Sequence, residues 1–125
     1  MIQVENLTKR YGQHLAVDSI NFTVETGEIL GFLGPNGAGK TTTMNILTGY
    51  ISATEGQALI NGIDILEQPE QAKKMIGYLP EFPPLYGDMT VNEYLNFVSD
   101  IKKLTGTDRK KSMEKIMDLV KIGDV

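Results

Sequence analysis

Nine residues constrain this chain more than any others: Gly34-Pro35-Asn36-Gly37-Ala38-Gly39-Lys40-Thr41-Thr42. Gly34, Gly39, Lys40 and Thr41 fit the phosphate-binding pattern G-x-x-x-x-G-K-[ST]. With glycine at about 7% of residues, those four fixed positions arise by chance in under about 1% of chains this long. The pattern needs a strand before it and a helix after it. Ile29-Leu30-Gly31-Phe32-Leu33 is a short apolar run of the kind that forms a strand buried on both faces. Thr41 to Thr48 reads as a short helix, with Met44 and Leu47 one turn apart and Gly49 as its stop. A bare glycine-rich turn carries no such flanks.

The chemistry follows from that order. Glycines let the backbone curl until successive N–H groups point inward as an anion nest. The helix start adds unpaired N–H groups and the positive end of its dipole. Lys40 is spaced to reach the β- and γ-phosphates of a nucleoside triphosphate as a mobile point charge. The Thr41 hydroxyl is placed for Mg²⁺, which keeps most of its waters and takes one or two protein oxygens. Thr42 offers its N–H and hydroxyl toward the α-phosphate.

Composition narrows the partners. The 125 residues suffice for one modest domain. A formal charge of −4 argues against a general nucleic-acid-binding surface. With no cysteine, disulfides and thiolate metal sites are excluded. Met1-Ile2-Gln3-Val4-Glu5 has no signal-peptide pattern, and no apolar run approaches the ~20 residues of a membrane span. Any membrane role is expected to come through a partner.

Upstream of the loop, Ile2 to Arg10 reads as a strand running to a Tyr11-Gly12 turn. His14 to Glu25 reads as a second, with Ile20, Phe22 and Val24 on one face. Downstream, Gln57 to Ile60 and Ile63 to Ile65 are strands joined by the hairpin signal Asn61-Gly62. Pro69 to Lys74 reads as a short helix, and Met75 to Leu79 as a further buried strand. Glu81 to Met89, with Pro83, Pro84 and Gly87, is loop. Thr90-Val91-Asn92-Glu93 is a capping box opening an amphipathic helix. A last helix is expected from about Asp108 to Lys121, burying Met113, Ile116, Met117 and Val120. The lone histidine, His14, reads as a solvated strand residue.

Taken together, these segments closely resemble the ATPase subunit of ATP-binding cassette (ABC) transporters. The nine-residue loop is similar to that family's Walker A, including its Pro-Asn and Ala filling. Val4 to Gly12, Ala16 to Phe22 with the Gly27-Glu28-Ile29 turn, and Gly56 to Gly62 are similar to strands of the same family. Ile76 to Glu81 falls at its Q-loop. The resemblance implies an α/β fold: a P-loop NTPase core of the ABC ATPase type, with a mixed sheet, followed by the start of a helical subdomain. It implies ATP and Mg as cofactors. Tyr11 becomes the aromatic that stacks on adenine, worth ~1–3 kcal/mol, rather than a ring packed at a strand end. Glu81 stands where the family usually has glutamine. A carboxylate there is a harder Mg²⁺ ligand but adds negative charge beside the γ-phosphate. Phe82 to Val91 is similar in style to bacterial exporter-like branches.

Hydrolysis in this class also needs an acid at the end of an apolar strand and a group that orients water. No Asp-Glu-ended strand, signature segment or switch histidine of the family stands after residue 80. The expectation is an N-terminal part of a longer ATPase, truncated within the fold. Residues 1–88 hold the loop, adenine stack and Q-loop; 89–125 begin the helical subdomain. It binds ATP without hydrolysing it, and its exposed sheet edge lets it self-associate. The full protein is expected at the inner face of the cell membrane, on the cytoplasmic side. There it would couple ATP to transport with transmembrane permease subunits and a second ATP-binding subunit. A soluble cassette ATPase without a membrane partner is the alternative. A small-molecule kinase or GTPase fits less well, since the strands before the loop and Tyr11 are unlike one and a guanine motif Asn-Lys-x-Asp is absent. A nucleotide-binding module without catalysis is the fourth reading.

Overall fold

A computed structural model describes residues 1–123. The chain divides into two compact units, one of Met1–Leu79 and one beginning at Pro80. The division falls before the proline-rich loop, so that loop goes with the helical unit.

The first unit is organised on β1 (Ile2–Tyr11), which pairs antiparallel with β2 (His14–Val24) on one side and β3 (Glu55–Ile60) on the other. A two-residue β4 (Ile63–Asp64) completes a four-stranded sheet of order β2-β1-β3-β4. The β3–β4 turn is Asn61-Gly62, both residues at positive φ, as a type I′ hairpin requires. Against this sheet lies α1 (Lys40–Leu47), which contributes Ile46 and Leu47 to a core of Val4, Leu7, Ala58, Ile60, Ile65 and Ala72. Ala72 comes from α2 (Pro69–Lys73), which starts on its proline.

Strict alternation would put Leu7 on the face opposite Val4. It does not, because Asn6 is inserted in the left-handed region (φ 49) and Val4↔Phe22 is followed by Leu7↔Ile20. Ser19 (φ 45) is the matching bulge on β2. The freed amides are not orphaned. Asn6 N–H donates to Asn21 Oδ1 at 2.9 Å, and Ser19 N–H to Thr8 Oγ1 at 3.1 Å. On β3, Gly56 passes so close to the Asn6 carbonyl that a side chain would collide with it.

Two expected strands do not form. Ile29–Leu33 and Met75–Leu79 are irregular and carry no ladder to any described strand. Rather than buried on both faces, Ile29 and Leu33 are 98% and 95% exposed, and Leu79 is 80% exposed. An apolar run becomes a parallel strand only when neighbours complete its hydrogen bonds, and every pairing in this sheet is between other segments. Phe32 does turn inward, its ring 5.6 Å from that of Phe22.

The second unit holds α3 (Val91–Ile101) and α4 (Gly106–Leu119). The capping box forms as the sequence predicts: Glu93 N–H donates to Thr90 Oγ1 at 3.3 Å, and Thr90 N–H to Glu93 Oε2 at 2.7 Å. Arg109 ties the two helices, donating to Asp100 and to the Asn96 carbonyl, each at 2.7 Å. The expected apolar face of α4 is only partly covered. Met113 and Met117 are half-buried while Ile116 and Val120 stay exposed, since one facing helix screens less than a full stripe. Among the described residues no helix is long and apolar enough to cross a membrane.

Candidate functional site

The site begins where the chain enters α1. Gly37 and Gly39 take φ values of 83° and 89°, a conformation L-residues avoid. Gly39 is the tighter constraint, because a Cβ there would strike the Ala16 carbonyl and come within 3.2 Å of a Val17 methyl. Ala16 is the extra residue where β2 bulges between Val17, opposite Lys9, and Leu15, opposite Arg10. The bulge thus aims a carbonyl at the loop, and the loop answers there with a residue lacking a side chain. Thr43 anchors the other side: its N–H and its hydroxyl both donate to the Gly39 carbonyl at 2.9 Å.

This clamping leaves the helix start open. Gly39 is the N-cap and supplies no side-chain bond, and no acidic residue stands in the first turn. The N–H groups of Lys40, Thr41 and Thr42 therefore face outward with the positive end of the helix dipole. Gly34, Pro35, Asn36, Gly37 and Ala38 form the exposed lip, turned by the Ala38 N–H to Pro35 carbonyl bond of 3.2 Å. Thr41 is exposed and Thr42 half-buried. Lys40 is folded back over the lip, its ammonium donating to the Gly34 carbonyl and, at 2.8 Å, to the Pro35 carbonyl. Sequence spacing gives Lys40 its reach but not this resting partner, which follows from the curl of the loop.

Tyr11 belongs to the same surroundings. It ends β1 opposite His14, two residues before Ala16 on β2, so about 7 Å of strand separates the ring's partner from the loop contact. The ring is 50% exposed, and the Lys9 ammonium lies over it at 5.2 Å. Lys9 escapes a motif search; its only signal is that it sits two residues before Tyr11 on a strand. His14 is exposed, in keeping with the solvated reading. Glu81 belongs to the second unit, exposed in an irregular stretch near its start.

The exposed Thr41 hydroxyl, at an uncapped helix start, is an oxygen donor of the kind that Mg²⁺ takes.

A groove of about 250 Å³ runs behind α1, lined by Phe22, Val24, Leu30, Phe32, Met44 and Leu47 among others. It is apolar and lies against the sheet, so it carries no phosphate chemistry.

Residues 17–125 match the family model described as ABC transporter. The chain is 39% identical over 118 residues to a probable multidrug ABC transporter ATP-binding protein of Escherichia coli (strain K12), covering 94% of this chain and 20% of that one. It superposes on the solved structure of an ATP-binding subunit of an ABC transporter with a TM-score of 0.80 at 26% identity, covering 97% of this chain and 50% of that one. A dimeric bacterial ABC transporter cassette gives a TM-score of 0.79 at 25% identity, over 97% of this chain and 56% of that one. The chain thus spans between a fifth and somewhat over half of the length of these proteins. The fold class expected from the sequence is theirs: an α/β P-loop cassette. With the glycine loop clamped on β2, the open start of α1 and a family match over most of its length, the chain belongs to the ABC transporter family.

Proposed function

We propose that this chain binds MgATP as the energy-coupling subunit of a membrane transporter. The observation that carries the reading is the uncapped start of α1, held open by Gly39 against Ala16 and set two strand residues from the partner of Tyr11. The loop N–H groups receive the phosphates. Lys40 exchanges the Gly34 and Pro35 carbonyls for phosphate oxygens, so its charge is prepositioned and loses little by moving. Tyr11 takes the adenine. Thr41 would hold Mg²⁺, and the ion would supply positive charge against the phosphates. Glu81 keeps the Q-loop role that the resemblance gives it, supported by its place in the sequence after Ile76-Gly77-Tyr78-Leu79-Pro80.

In this reading the 125 residues bind ATP but do not cleave it alone, since no apolar run ending in Asp-Glu stands after residue 80. Turnover takes a second ATP-binding subunit, a reading supported by the dimeric structure of the cassette that this chain resembles. Transmembrane permease subunits supply the pathway, which puts the protein on the cytoplasmic face of the membrane. The name of the Escherichia coli relative supports a multidrug-type cargo. By itself the chain self-associates through the bare runs at Ile29–Leu33 and Met75–Leu79. A concentration-independent monomer in light scattering would refute that last point.

Calorimetric titration tests the site. Wild type is expected to bind MgATP and Lys40→Ala to bind it at least tenfold more weakly. Equal affinities would refute the phosphate cradle. Lys40-dependent turnover near 1 s⁻¹, about the lower end of enzyme rates, would refute the claim that these residues only bind.

A further inference from the structure

Lys9 has contacts that a solvated strand lysine does not need. Its ammonium donates a 2.7 Å hydrogen bond to the Ser52 carbonyl while standing 5.2 Å from the centre of the Tyr11 ring. Two residues apart on β1, the two side chains share a face. The extra residue at this end of the hairpin is on β2, so the alternation of β1 is unbroken here. Ser52 lies in the segment between α1 and β3. Two further bonds stitch that segment to β1: Thr54 N–H donates to the Thr8 carbonyl at 2.8 Å, and Arg10 N–H to Thr54 Oγ1 at 3.0 Å. The ammonium is therefore fixed from a rigid side, while Tyr11 stays 50% exposed.

We propose that Lys9 is a positioning residue for adenine: it covers one face of Tyr11, sets the plane of the ring, and leaves the opposite face as the platform for the base. This rests on the reading of Tyr11 as the adenine stack. Two effects act in the same direction. A cation on one face draws π density toward itself, so the far face is less negative and repels a stacked purine less. A ring already held in place also gives up less rotamer freedom when the base arrives. The Ser52 bond matters because an ammonium free to wander into water would provide neither.

The test is calorimetric titration of the full chain with ATP and, separately, with inorganic triphosphate, which has no base. The variants are Lys9→Met, Lys9→Arg, Tyr11→Ala and the Lys9→Met/Tyr11→Ala pair. Lys9→Met keeps the apolar stem and removes the charge. It is expected to weaken ATP about twofold to fivefold and to leave triphosphate unchanged. Lys9→Arg, which keeps both the cation and a donor for Ser52, is expected to restore most of the loss. Once Tyr11 is alanine, removing Lys9 is expected to cost nothing more. Equal weakening of ATP and triphosphate would mean that Lys9 acts on the phosphates or on the fold, and would overturn the proposal. So would a Lys9→Met penalty that persists in the Tyr11→Ala background. If Tyr11→Ala weakens ATP while Lys9→Met does not, the Lys9 proposal alone falls. If Tyr11→Ala binds ATP as tightly as wild type, the adenine-stack reading falls and takes this one with it.

Discussion

The two apolar runs Ile2-Gln3-Val4 and Ile29-Leu30-Gly31-Phe32-Leu33 meet opposite fates in one unit. The first lies in β1, paired on both sides, with Val4 2% exposed. The second is richer in apolar residues, yet Ile29 and Leu33 stand almost fully in solvent and make no ladder. Hydrophobicity nominates a strand, but hydrogen-bonding neighbours make one. The strands flanking β1 are reached by a two-residue hairpin and by the return from α1, whereas nothing in the described sheet pairs with Ile29–Leu33. The contrast bears on function, because the phosphate loop directly follows the bare run. Its shape is set from the other side, by Gly39 on the bulged Ala16 and by Thr43 on the Gly39 carbonyl.

The sharpest way to break that comparison is a pair of truncations. Leu7 is fully buried and Leu33 is 95% exposed. Leu7→Ala is expected to destabilise the first unit by about 3 kcal/mol, and Leu33→Ala by under about 0.5 kcal/mol, in denaturant unfolding. Comparable losses would mean that the bare run is packed after all. Next in size, Gly39→Ala forces a Cβ onto the Ala16 carbonyl at a positive φ. Its expected cost is about 2 kcal/mol, with phosphate binding weakened more than stability alone explains. A neutral substitution would show that the loop does not lean on β2.

A smaller effect tests the second unit. Thr90→Ala removes the N-cap of α3 and is expected to cost about 1 kcal/mol, visible as lost helicity. The Thr90 backbone N–H, and then its hydroxyl, hold the Glu93 carboxyl below its ordinary pKa. With the folded value depressed, this contribution is whole above the ordinary glutamate range and fades as pH falls through the folded value. Acid titration of wild type is expected to lose α3 helicity in that window, and Thr90→Ala to show less pH dependence there. Identical acid profiles would show that the box adds nothing in solution.

Much of this arrangement is legible in the residues alone. The capping box, the Asn61-Gly62 hairpin and the loop-to-helix step are local devices, each written in three or four adjacent side chains. The bulges at Asn6 and Ser19 are not legible. They depend on which register lets Val4 and Leu7 share one core, and that is settled only when β1 meets both partners. The parallel-type runs fail for the complementary reason: their apolar sequence describes an environment, not the neighbours that supply it. At the site, the motif alone nominates Lys40 and Thr41. Lys9 becomes visible only when Ser52, 43 residues away, returns beside β1.

The central claim is that one nucleotide is held by the open start of α1 and the Tyr11 hairpin together. Amide and aromatic NMR spectra during MgATP titration test it most directly. The account predicts that the backbone amides of Gly37 to Thr42 and the ring protons of Tyr11 shift along one binding curve. Saturating MgATP that moves the loop amides and leaves the Tyr11 ring unperturbed, or that moves neither, would contradict it.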